Sequence, residues 1–107
     1  MEKAEKIKLK QIIKTLDYSV VIVVLNIYED PLYIGFCDIG DEDSRFDYIY
    51  NEFKNNTIIS LYITPDCKLE IILNTRRGWT YKNGLWELKK INKVQFVAPG
   101  GEKDDTR

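Results

Sequence analysis

The sequence predicts a small α+β domain of two helices and about six mostly antiparallel strands. Three observations predict it. Two stretches carry apolar residues at helical spacing, several short runs are rich in β-branched and aromatic residues, and turn-forming pairs separate those runs. Asn83-Gly84 is the sharpest of these pairs, because a type I′ turn needs positive φ twice in succession.

In chain order, Leu9, Ile12, Ile13 and Leu16 share one arc of a helical wheel, while Ile7 falls on the other side. The first helix is therefore expected to begin near Lys8 and to close at Asp17. Alternation over residues 5–9 suits a short strand pairing instead of helix. A late start also spares Lys3, Lys6, Lys10 and Lys14 from forming one repulsive stripe. Residues 18–28 are a continuous β-branched run that reads as a central strand buried on both faces.

Glu29-Asp30-Pro31 is a turn, since proline fixes its own φ and biases the preceding residue away from helix. A second strand is expected over 32–39, with Leu32, Ile34 and Phe36 on one face and Tyr33, Gly35 and Cys37 on the other. Gly40 ends it. Over 41–56, Phe46, Ile49, Tyr50 and Phe53 keep the i, i+3, i+4, i+7 spacing of an amphipathic helix. Ser44 with Asp47 makes a partial capping box, and Asn55-Asn56 suits the stop.

Two β-rich runs, 57–64 and 68–75, flank Pro65-Asp66 as a hairpin. Arg76-Arg77-Gly78 is read as punctuation before a second hairpin, 79–82 and 85–90, and 94–97 as a last short strand. Residues 99–107 are Pro, Gly and charge, which predicts a disordered tail behind a single domain over 1–98. The run of short strands after Thr57 is compatible with a curved sheet closing toward a small barrel.

Composition excludes several classes. The longest apolar run, 20–25, is six residues, far short of the ~20 that a membrane helix needs. The charged start lacks the apolar stretch of a secretory signal, so a cytoplasmic setting is the expectation. With no histidine and no CxxC, the usual zinc frameworks and every His-based triad are missing, and Cys37 and Cys67 are expected to be reduced and half-buried. No phosphate-binding glycine run or nucleophile elbow is present. The expectation is a protein that is not an enzyme and uses no cofactor.

Charge is distributed unevenly. Residues 17–56 hold nine Asp/Glu against Arg45 and Lys54, whereas 68–97 hold seven Lys/Arg against Glu70 and Glu87. Such asymmetry suits docking of charged partners and says nothing about fold. Asp38, Asp41, Glu42, Asp43 and Asp47 miss the spacing of a calcium loop, so no metal is expected there. Their acids suit either the positive end of a helix or a surface that imitates phosphates. Arg76, Arg77, Trp79, Tyr81, Lys82 and Trp86 interleave cations with aromatic faces, the mix that single-stranded nucleic acid requires. The same tryptophans could serve only as packing anchors. A small-ligand pocket from Tyr33, Trp79, Tyr81 and Arg77 is a third option.

The segments KLKQIIKTLD, VVIVV, LYIGFCDIGD and TIISLYITPDCKLEIIL, in that order over residues 7–73, resemble a pattern of short accessory proteins of phages, prophages and conjugative elements of low-GC bacteria. The resemblance is one of hydropathy and carries over no catalytic residue. The Trp-bearing hairpin at 76–97 departs from it. It implies a mobile-element accessory protein, with binding and blocking of a host factor as one task. The expected function is thus a non-enzymatic binding protein that meets a protein partner through the acidic segment, the basic hairpin or both. Nucleic acid is the second candidate partner, a homodimer is a subsidiary expectation, and no membrane is involved.

Overall fold

The computed structural model describes residues 6–17, 19–37 and 45–92. Eight elements follow in order: α1 (Leu9–Ile13), β1 (Val21–Leu25), β2 (Pro31–Phe36), α2 (Arg45–Phe53), β3 (Ile58–Ile63), β4 (Leu69–Leu73), β5 (Arg77–Lys82) and β6 (Leu85–Lys90). The fold is α+β. Four strands form a sheet in the order β2-β1-β4-β3, and β5 and β6 form a separate antiparallel hairpin. Among the described residues the strands form two separate sheets and no closed barrel. β1 pairs antiparallel with β2 but parallel with β4, and β3 pairs antiparallel with β4.

Both helices pack on one side of the sheet. Leu9, Ile13, Ile22, Val24, Leu32, Phe46, Ile49, Phe53, Ile71 and Leu73 are buried in one cluster. α2 delivers Phe46, Ile49 and Phe53 to it at the predicted spacing. α1 is shorter than expected, and its end shows why. Thr15 N–H and Leu16 N–H make tighter i→i−3 bonds, and the Thr15 hydroxyl donates to the Ile12 carbonyl at 2.7 Å, competing with helix continuation. At its start, Leu9 N–H and Lys10 N–H donate to the carbonyls of Asn56 and Lys54, so the chain leaving α2 caps α1. Ile7 is exposed, and its neighbour Lys8 bridges Thr57, the short pairing its alternation suggested.

β1 is central, with a neighbour on each edge, yet it is not buried on both faces. Ile22 and Val24 face the helices, while on the far side Val21 and Val23 are half-buried and only Leu25, at the strand's end, is buried. The strand also stops sooner than expected. Asn26, fully buried, accepts the N–H of Tyr28 and of Asp30 on Oδ1, both at 2.9 Å, and turns the chain with Glu29 at φ 66°.

On β2, Tyr33 and Gly35 take the helix side. The Tyr33 ring lies 5.3 Å from Phe46, and its hydroxyl arches along the strand to donate to the Phe36 carbonyl at 2.6 Å. A Cβ on Gly35 would stand 2.6 Å from that hydroxyl, which explains the Tyr-x-Gly step. Ile34 and Phe36 point away from the core and are exposed.

The β3–β4 hairpin turns through Pro65-Asp66 with Cys67 at φ 64°. β5 begins at Arg77, two residues before its expected start, so Arg77 and Gly78 are strand and not punctuation. Asn83 and Gly84 have φ of 54° and 79°, the type I′ turn the sequence demanded. The acids Asp38, Asp41, Glu42 and Asp43, the expected strand 94–97 and the expected tail 99–107 lie outside the described residues.

Candidate functional site

The hairpin β5–β6 is held by its root. Asn26 Nδ2 donates to the Arg77 carbonyl at 3.0 Å, Ile91 N–H donates to the Arg76 carbonyl at 2.8 Å, and the Tyr28 hydroxyl donates to the Ile91 carbonyl at 2.9 Å. Gly78 is buried where this junction is tightest, since a Cβ there would stand 2.8 Å from Ile91 and 3.1 Å from the Asn26 amide. A glycine that looked like a breaker is a close-approach residue.

Register puts Arg77, Trp79, Tyr81, Trp86 and Leu88 on one face of the hairpin and Thr80, Lys82 and Glu87 on the other. The two tryptophans then part company. Trp79 is half-buried near the root, where its indole N–H donates to the Leu32 carbonyl at 2.8 Å and its ring lies 6.2 Å from Tyr48. Trp86 is 63% exposed and stacks at a tilt on Tyr81, 4.9 Å between centroids. Trp79 is an anchor that also covers a carbonyl on the free edge of β2. Trp86 and Tyr81 make an exposed aromatic pair near the tip, and Leu85 is exposed on the opposite face beside Lys82.

The two arginines also differ in availability. Arg77 lies 5.1 Å over the Phe53 ring and pairs with Glu52 at 2.7 Å, so its charge is answered within the domain. Arg76 is exposed at the hairpin root, and Lys82 is exposed near the tip. Lys89 pairs with Glu87 across one strand face at 3.2 Å.

Between the hairpin and the start of α2 lies a cleft of about 640 Å³, lined by Asp30, Pro31, Arg45, Trp79, Trp86 and Ile91. That volume is in the range of ligand pockets. Arg45, on the first turn of α2, makes no ion pair among the described residues, in contrast to Arg77. The protein's two tryptophans both line this one cleft.

Of the basic and aromatic candidates, the structure gathers Trp79 and Trp86 at the cleft, sets Tyr81 beside Trp86, and directs Arg77 into the domain. Tyr33 is engaged with Phe46 on the helix side of the sheet. Of the acidic candidates, only Asp47 is described, half-buried in the first turn of α2. Asp30, Pro31, Arg45 and Ile91 were not singled out by sequence. Arg45 sits among acids in a segment read for its negative charge, and Ile91 follows a strand end with no motif around it. Cys37 is buried, with its thiol against the Asp17 and Val20 carbonyls, and Cys67 is exposed, so neither is half-buried.

Comparison with protein families, curated proteins and solved structures finds no match to this chain. No helix among the described residues is long and apolar enough to cross a membrane.

Proposed function

We propose that this chain is a small non-enzymatic binding protein that holds a protein partner with its Trp-bearing hairpin and the cleft at the hairpin root. One observation carries the reading: an exposed Tyr81-Trp86 pair stands beside a cleft lined by both tryptophans and by Arg45, a guanidinium with no ion pair of its own among the described residues. Tryptophan, tyrosine and arginine around a concave site are the residue types that dominate protein interfaces. The absence of histidine leaves catalysis few groups to use. The resemblance to mobile-element accessory proteins supports a host factor as that partner, with its inhibition as the task.

A photo-crosslinking amino acid placed at Trp86 tests this in cells. The expected result is one discrete crosslinked protein, lost on Arg45→Glu. Trp86→Ala is then expected to weaken the purified complex by about tenfold or more.

The second reading, single-stranded nucleic acid, is favoured by the exposed Tyr81-Trp86 pair and the lysines of the hairpin. Its test is polarisation of labelled DNA and RNA at about 50 and 200 mM salt. Micromolar binding that salt and Arg76→Ala both abolish would replace the protein-partner reading.

A further inference from the structure

Among the described residues both helices pack on one side of the four-stranded sheet, and on its other side β1 and β2 carry exposed and half-buried apolar residues where water-facing sheet normally turns polar. Register sets Ile34, Val23, Glu70 and Tyr62 in one row across all four strands. Two residues along, Phe36 and Val21 pair on the same face, and alternation continues that row to Lys68 and Thr64, hydrogen-bonded to each other just beyond β4 and β3. Ile34 and Phe36 are 59% and 55% exposed, and Tyr62 is 55% exposed. The helices and the root of the hairpin lie on the opposite side, against Phe46, Tyr48 and Phe53. The contiguous apolar patch of Ile34, Phe36, Val21 and Val23 marks an interaction surface.

We propose that this face is covered by a second copy of the chain, packed sheet on sheet about a two-fold axis. The spacing of the two rows selects this occupant. Between them lies the row Gly35, Ile22, Leu69, whose side chains point to the helices. A two-fold axis running across the strands at the level of that row exchanges the two outward rows. Ile34 then meets the partner's Phe36, Val23 meets the partner's Val21, and Tyr62 meets the partner's Thr64. Glu70 meets the partner's Lys68, whose ammonium lies 3.3 Å from Asp66 of its own chain and gains a second carboxylate here, once on each side of the axis. Apolar groups face apolar groups in every other pairing on β1 and β2. Such self-complementarity is what an isologous interface requires. The net charge of −1 leaves little repulsion between copies. Sheets stacked this way interdigitate at about 10 Å.

Sedimentation equilibrium of the full chain over a range of concentrations is the test, with circular dichroism and thermal melting as controls for folding. The wild type is expected at twice the chain mass. Ile34→Lys with Phe36→Lys, both exposed on an edge strand and tolerable there, is expected to raise the dimer dissociation constant by at least about tenfold with the fold intact. Lys68→Glu is expected to weaken the dimer by setting like charges together, and Lys68→Glu with Glu70→Lys to restore it. A monomer at every concentration overturns the proposal, and a monomer whose melting temperature falls with Phe36→Lys assigns the face to a segment of its own chain. A dimer indifferent to Ile34→Lys and Phe36→Lys, or to the charge exchange, overturns it as well.

Discussion

Asn26 concentrates more structural consequence than any apolar residue of the core. Fully buried, it turns the β1–β2 connection with its oxygen and holds the β5 backbone with its nitrogen. Asn26→Ala removes the side-chain bonds to the Tyr28 and Asp30 N–H groups and the Arg77 carbonyl, and is expected to cost about 2–4 kcal/mol in urea unfolding. Tyr33 and Gly35 make a second such pair. Gly35→Ala is expected to destabilise by about 1–3 kcal/mol through displacement of the Tyr33 ring. The penalty should shrink in a Tyr33→Phe background, because the nearest atom is the hydroxyl; a double-mutant cycle measures the coupling. Residue-level legibility was uneven. Asn83-Gly84 announced its turn because few other pairs adopt positive φ twice. Asn26 announced nothing, because its partner Arg77 is fifty-one residues away. Gly78 was misread for the same reason: its constraint comes from Ile91 and Asn26, not from its neighbours in sequence.

At the scale of elements, α2 and both hairpins were legible because each is closed by local periodicity and local turns. α1 was overextended from its apolar spacing, since the wheel does not see Thr15 bonding back to Ile12. The alternation of β2 holds from Tyr33 to Cys37 but not at Leu32, which a register shift against β1 turns into the core, away from Ile34 and Phe36; nor can alternation say which face meets the helices. The more apolar pair, Ile34 and Phe36, is the one turned outward. The turns themselves carry a pH signature. A backbone N–H of Ser19 holds the Asp17 carboxyl below its ordinary range, and the Thr64 hydroxyl, with Lys68, does the same for Asp66. Folded-state values lowered in this way give stability that is present above the unfolded carboxylate range and lost as pH falls through the folded values. The loss therefore lies on the acid side of about pH 4. Both carboxylates are exposed, so the expectation is a slight one: Asp66→Asn should flatten the acid limb of the melting-temperature profile. In the other hairpin, Gly84→Ala meets no atom within 4 Å, so only its φ of 79° opposes the change. Its cost in thermal unfolding is expected near 1 kcal/mol.

The whole molecule is less legible than its parts. Two hairpin-like units, β1–β2 and β3–β4, are each readable, but nothing local states that β1 and β4 lie side by side and parallel. The candidate cleft shares this limit, since Asp30, Arg45, Trp79 and Ile91 come from four separate stretches joined only by the fold. The parallel seam also has a kinetic consequence. It unites residues 22–25 with residues 69–72, whereas each hairpin closes over a short connection. Closing the long loop costs entropy before any seam contact is made. Val24 and Ile71, buried partners across the seam, thus belong to the step that limits folding. Their truncation is expected to slow refolding, while changes at the hairpin tips chiefly hasten unfolding. The order in which this chain assembles is written in one pair of adjacent strands.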